Sequence, residues 1–353
     1  VHVALILVAL LITQTTAAAA VVAWRSDDAA ARVASEPVTV VNPDFNHVVV
    51  RTPPPRPAVT RHPVRPAPRP HVRRAASAPR RHVIAKPKPV DRLAALRGLG
   101  TWVDLYDYGT SANKPVTTLV AQAAAQHITT IWVETSRYNT ADIAYPPALG
   151  SLVDAAAARD IRVIAWVLPE FRSVNADLRK ARAAAAFRSP RGRRFAALGL
   201  DIEVSSGAQP AERSARLIAL SKAVHGHVGM PVVAIVPPPV GFSRNPGYWP
   251  GFPWRTVAGN ADALATMGYW SFSKSEAGGY TATDLAQTRA LVGRASYPIH
   301  VIGGLAADTT PAGAAAFCRA ARSGHALGAS LYDLTSTPAS LVSPLQTCRK
   351  VGH

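Results

Sequence analysis

From position 91 to the end of the chain, eight short runs of β-branched and apolar residues alternate with Ala-rich stretches of helical character. The β runs fall at 100–106, 128–134, 162–168, 196–203, 231–236, 263–269, 299–303 and 326–333. Helical stretches lie between them at 116–126, 149–159, 176–187, 211–224, 283–292 and 312–322. Strand to strand, the interval is roughly 30 residues, the size of a βα unit. Eight such units in about 260 residues predict an α/β fold, a (β/α)8 TIM barrel. The runs are almost continuously apolar, as strands covered on both faces must be. A doubly wound open sheet is the competing topology, but no Gly-x-Gly-x-x-Gly follows the first run.

The first ninety residues read differently. Val3 to Ile12 is unbroken apolar sequence and is followed by small residues up to Trp24 and Arg25. This predicts a signal peptide or membrane anchor over 1–24, and hence an extracellular or cell-surface protein. The formal net charge is +18, which raises the question of nucleic acid. Half of that excess sits before position 91. Residues 51–90 hold eleven prolines, eleven Lys or Arg and no acid. Proline fixes φ and removes a donor, and like charges repel, so 25–90 is expected to be a disordered Pro/Arg-rich linker. Its expected contact is electrostatic, with an anionic cell wall or membrane. No recognition module accompanies the charge, so no nucleic-acid partner is expected.

In a barrel of this kind, chemistry collects at the C-terminal strand ends. The runs end on Asp104, Tyr106 and Asp107, on Glu134, on Asp201 and Glu203, on Tyr269 and Trp270, and on Tyr332 and Asp333. Trp166 lies in the third run and Glu170 just beyond it. Rings stacked on pyranose faces beside carboxylates are what a sugar site needs. Acids in these places also cap the helices that follow, and Asp107, Glu170 and Asp308 are open to that reading. Asp201 and Glu203 are the sharpest pair. Residues at i and i+2 of a strand share a face, and two close carboxyls hold a proton more tightly than one.

Leu200-Asp201-Ile202-Glu203 resembles the end of the Asp-x-x-Asp-x-Asp-x-Glu signature of family-18 glycoside hydrolases, the chitinase-like barrels. Met267-Gly268-Tyr269 resembles their Met-x-Tyr, and 328–333 resembles their Gly-rich eighth strand. The chain is also similar, from Gly100-Thr101-Trp102-Val103-Asp104 through Val133-Glu134-Thr135 to Tyr269-Trp270-Ser271, to exported glycosidase-like barrels of high-GC bacteria, a likeness that brings no activity with it. The family resemblance implies Glu203 as general acid, with Asp201 as its partner and Tyr269 assisting. Asp104, Glu134, Trp166, Glu170, Trp270, Tyr332 and Asp333 are the expected substrate-binding residues, and the partner is a cell-wall or extracellular polysaccharide. Ala196 and Gly199 stand where the signature has its two earlier Asp, and Trp270 where the family has Asp or Asn.

A non-catalytic glycan-binding barrel is the alternative, and a phosphate-binding barrel using Gly303-Gly304 a more distant one. A strand-seven carboxylate nucleophile is missing, since 301–308 holds no Glu. The histidines show no ligand spacing, so neither metal nor cofactor is expected, and the chain is read as a monomer. Cys318 and Cys348 are left as either a bridge or two buried thiols.

Overall fold

Eight parallel strands pair in sequence order, and the last closes on the first. The computed structural model describes residues 91–109, 115–203, 208–271 and 275–353. The expected leader over 1–24 and linker over 25–90 lie outside the described residues. The strands are β1 (Gly98–Val103), β2 (Thr130–Arg137), β3 (Arg162–Leu168), β4 (Leu198–Asp201), β5 (Val232–Val236), β6 (Ala263–Met267), β7 (Ile299–Leu305) and β8 (Gly328–Tyr332). The barrel expectation holds, with boundaries shifted by a few residues.

The helices are α1 (Val116–Ala125), α2 (Pro146–Ala157), α3 (Val174–Ala186), α4 (Pro210–His227), α5 (Pro239–Arg244), α6 (Trp254–Gly259), α7 (Ala277–Val292), α8 (Pro311–Ser323) and α9 (Val342–Leu345). Several begin earlier than their apolar pattern does, because their first turns are set by caps. Pro146, Pro210 and Pro311 take the first helical position, where a missing N–H costs nothing. Ser173 and Thr310 accept the N–H of Ala176 and Gly313, and Glu276 accepts from Gly278 and Gly279.

Alternate strand residues face in and out. The outward set, with Val133, Val163, Leu200 and Val301 among it, packs with Leu119, Leu152, Leu220 and Phe317 of the helices. The inward set is distinctive. Trp102, Trp132 and Trp166 come from three adjacent strands and fill the barrel beside Ile164, Ile235, Ala265 and Met267. Trp102 stacks on Trp132 with ring centroids 4.7 Å apart and meets Trp166 edge-on at 6.1 Å. A fully buried indole contributes roughly 4–6 kcal/mol of hydrophobic burial.

Such bulk needs small residues opposite it. A Cβ on Gly199 would come within 2.8 Å of the Ile235 side chain and 3.1 Å of Trp166. Polar groups in this interior are satisfied in a chain. The Trp102 indole N–H donates to Ser330 Oγ at 2.8 Å, and Ser330 meets His300 Nε2 at 3.0 Å. His300 Nδ1 lies 2.9 Å from the Leu96 carbonyl. Burial pushes the His300 pKa down to about 4, so the ring is neutral and its Nδ1 carries the proton.

Cys318 of α8 and Cys348 are bridged, with Cα atoms 4.8 Å apart. The bridge ties the C-terminal segment under β1, where Gly98 N donates to the Val351 carbonyl. Unreduced, denatured protein should therefore show no titratable thiol. A Cys318→Ser/Cys348→Ser variant should lose about 3–4 kcal/mol of stability in a denaturant titration, the loop-closure value for a loop of this length.

Asp284 of α7 is fully buried against Thr266 and Thr288, and burial raises its pKa to about 7. The folded chain keeps a proton there that the unfolded chain releases near pH 4. Folding then takes up a proton in this window, and stability falls as pH rises from about 4 to about 7. Asp284→Asn should flatten that dependence, removing a slope on the order of 2–4 kcal/mol, as read by denaturant midpoints at both ends.

Candidate active site

The C-terminal strand ends carry a layer of carboxyls above the tryptophans. Asp104 follows β1 and is buried. Its Oδ1 accepts the Tyr106 N–H at 2.7 Å and its Oδ2 accepts the Tyr332 hydroxyl at 2.7 Å. The Tyr332 ring lies edge-on to Tyr269, with centroids 6.3 Å apart. Tyr269, two residues beyond β6, has φ at 40°, a left-handed backbone that costs a non-glycine residue about 1–2 kcal/mol.

Glu134 is fully buried on β2. Its two oxygens receive a fork from Arg137, with Nε to Oε1 at 2.9 Å and Nη2 to Oε2 at 2.6 Å, and Oε2 also accepts the Leu105 N–H at 3.1 Å. Burial raises the Glu134 pKa, opposed by Arg137. Burial also works against the Arg137 charge, but Glu134 more than offsets it and holds Arg137 protonated. Arg137 further donates to the Tyr106 hydroxyl at 2.7 Å.

Asp201 ends β4. It is buried, and its Oδ1 has no hydrogen-bond partner among the described residues. Burial, then the carboxylates of Glu203 and Glu134, holds its pKa well above the usual carboxylate range, with Arg137 pulling the other way. Glu203, two residues on, is half-buried. Its backbone is held from the β5 side, where the Tyr248 hydroxyl donates to the Glu203 carbonyl. Arg213 of α4 in turn donates to the Tyr248 carbonyl at 2.8 Å and lies 4.0 Å over the Trp249 ring. The aromatic loop after β5 is thus largely occupied with its own packing. Phe242 touches Tyr248, Phe252 and Trp254.

Asp104, Glu134, Asp201, Tyr269 and Tyr332 come together at this end, with Trp166 as the floor. Trp166 is 5% exposed, and its indole nitrogen has no hydrogen-bond partner among the described residues. Three expected residues sit otherwise. Trp270 is buried on the outer side of the barrel, its ring 4.9 Å from Phe317 and pressed on β7, so it does not face the mouth. Tyr269 instead packs against the inward cluster, and Trp270 belongs to the outer one. Glu170 pairs with Arg172 at 3.0 Å near the surface. Asp333 accepts Ser336 N and Thr335 Oγ1 at 2.8 and 2.9 Å, which closes the turn after β8.

The same packing accounts for Gly303-Gly304. A Cβ on Gly303 would overlap the Trp270 ring, so these glycines admit an indole, which accounts for the motif by packing. β7 carries no carboxylate.

Sequence reasoning missed Arg137, named Tyr248 only as part of the aromatic loop after the fifth strand, and did not foresee that Asp107 contacts Asp104. Asp107 Oδ2 accepts the Asp104 N–H at 3.0 Å, and burial beside Asp104 raises its pKa to about 7. The spacing Glu134-x-x-Arg137 was the available signal for the buried ion pair. Arg137→Met should destabilise the protein by about 3–5 kcal/mol in thermal or denaturant unfolding, because it strands the Glu134 charge. Glu134→Gln/Arg137→Met together should cost less than the single change.

No family model matches the chain, and no curated protein matches it. Solved structures do. The spore cortex-lytic enzyme SleL of Bacillus megaterium QM B1551 is 11% identical with a TM-score of 0.53, over 72% of this chain and 74% of that one. A class V chitinase from Pseudomonas fluorescens Pf-5 is 10% identical with a TM-score of 0.51, over 72% and 100%. The endo-1,4-β-D-mannanase of Thermotoga petrophila RKU-1 is 9% identical with a TM-score of 0.50, over 67% and 88%. The likeness is one of fold: the chain is similar to these proteins as a closed eight-stranded (β/α)8 barrel.

Proposed function

We propose that the chain is an exported glycoside hydrolase-like protein that cleaves a cell-wall or extracellular polysaccharide, with Glu203 as general acid and Asp201 as its partner. The observation that carries the reading is Asp201. This buried carboxyl, with one oxygen unpartnered among the described residues and facing the Glu203 and Glu134 charges, holds its proton well above the usual carboxylate range. Asp201 and Glu203 then titrate as a unit holding one proton, which Asp201 passes to Glu203 and Glu203 gives to the glycosidic oxygen. Tyr269, Tyr332, Asp104 and Trp166 offer hydroxyls, a carboxylate and an aromatic floor to a sugar. The reading agrees with the kinds of substrate named for proteins of like fold: a spore cortex, a chitin and a mannan. The Cys318–Cys348 bridge agrees with an oxidising compartment, and hence with export. The basic stretch 51–90 would add electrostatic contact with an anionic surface.

One observation favours a non-catalytic glycan-binding barrel as the second reading. The place of the signature's Asp at 199 is filled by Trp166 and Ile235, so Asp201 has no acid beneath it. Screening the full chain against wall and capsular polysaccharides separates the two. On a cleaved glycan, Glu203→Gln should lower turnover by about 10²–10⁴-fold while binding persists. Asp201→Asn should lower turnover and move the alkaline limb of the pH–rate profile to lower pH, because two carboxyls no longer share one proton. Full turnover in Glu203→Gln contradicts the assignment. Binding at this face without cleavage by the wild type supports the second reading.

A further inference from the structure

The opposite end of the barrel carries a different surface. A groove of about 360 Å³ opens at the N-terminal ends of β3 and β4, lined by Arg162, Arg193 and Arg194 together with Asp160. Arg159, Arg188 and Arg191 lie on the same two connections, α2 to β3 and α3 to β4, and all six arginines are exposed. The turn that presents three of them is held rigidly. Gly192 N donates to the Ser189 carbonyl at 2.8 Å, Ser189 N to the Arg193 carbonyl at 3.0 Å, and Arg193 N to Ser189 Oγ at 3.0 Å.

The nearest acid on α2, Asp154, is occupied by this turn. It accepts the Ser189 hydroxyl at 2.5 Å and the Arg191 N–H at 3.3 Å. The guanidinium groups of Arg191, Arg193 and Arg194 make no hydrogen bond or ion pair among the described residues. A rigid turn displaying unpaired arginine forks is suited to bidentate contact with carboxylate or phosphate groups.

We propose that this N-terminal face binds a linear acidic glycan, a sugar polymer carrying carboxylate or phosphate groups. Three observations select that partner. The charge extends beyond the groove, which fits repeated anionic groups rather than one small anion. The exposed large apolar side chains, Tyr106, Tyr145 and Leu291, lie on other elements, so the patch offers no anchor for a bilayer. Among the described residues its one ring that is not buried, Phe187, is half-buried and stacked on Phe195 with centroids 5.3 Å apart, so the patch offers no row of open rings for successive nucleobases. Because the barrel is parallel, a polymer held here leaves the Asp201–Glu203 end facing away from it. The Ala94 carbonyl lies 3.4 Å from Arg162 Nη1 at this face. The choice of a glycan rests on the proposed function; the charge of the partner does not.

The test uses the full chain and three forms of it: wild type, Arg191→Gln/Arg193→Gln/Arg194→Gln, and a control with the same loss of charge on exposed helix positions, Lys222→Gln/Arg255→Gln/Arg319→Gln. Binding is measured at about 0.1 M salt to polygalacturonate, to a phosphodiester-linked glycan, to duplex DNA, and to vesicles of equal parts phosphatidylglycerol and phosphatidylcholine. The groove variant should bind one or both acidic glycans about tenfold more weakly with a shallower salt dependence, and the control less than about twofold more weakly. Which glycan responds identifies the anion. Equal losses in both variants overturn the proposal, since bulk charge then suffices. A loss confined to DNA or to vesicles overturns it as well. Any cleavage of an uncharged glycan should be unchanged in the groove variant, so failure here and failure of the hydrolase reading are distinguishable.

Discussion

Three indole rings packed inside the barrel determine what can sit above them. Trp102, Trp132 and Trp166 come from adjacent strands, so their bulk lies to one side and the opposing positions must be small. Gly199 and Ala265 meet that demand. The rings also exclude water from the layer of carboxyls at the strand ends. Glu134 is neighbour to Trp166 across the β2–β3 ladder, and Trp166 is neighbour to Gly199 across β3–β4. The desolvation that sets the proton affinity of this end is therefore a consequence of how the interior is filled.

Within that dry layer the acids follow two courses. Glu134 is given a cation, and the Arg137 fork leaves it a satisfied ion pair, as a buried charge requires. Among the described residues Asp201 has no cation of its own and one oxygen without a partner, so burial raises its hold on a proton. The same chemical group thus serves once as a structural anion and once as a proton store, and the difference lies in a single arginine. Asp284 shows the second course without any function attached: a carboxyl buried against threonines, raised by the same desolvation.

The barrel was legible because strands covered on both faces leave continuous apolar runs at the spacing of a βα unit. The helix starts were less so, since Pro146, Pro210 and Pro311 act through backbone geometry rather than hydrophobic pattern. Strand parity brought Asp104, Glu134, Asp201 and Tyr332 to one end. Tyr269 and Trp270 lie beyond the end of β6, where a left-handed Tyr269 turns the chain: Tyr269 packs with the inward set, and Trp270 covers the glycines of β7. Arg137 was hidden because an arginine near a strand end reads as surface charge until a buried carboxylate three residues earlier is known to face it. Tyr248 was hidden for a different reason: its contact with Glu203 spans 45 residues and depends on how the β5 loop folds on itself.

The proposed chemistry depends on Asp201 holding a proton at neutral pH. Carbon-13 NMR of the full chain labelled at the aspartate carboxyl carbons, compared with Asp201→Asn to assign the resonance, reads that proton directly. The account predicts that the Asp201 signal keeps the position of a protonated carboxyl through pH 7, while exposed aspartates titrate near pH 4. A signal from Asp201 that moves with theirs would contradict it.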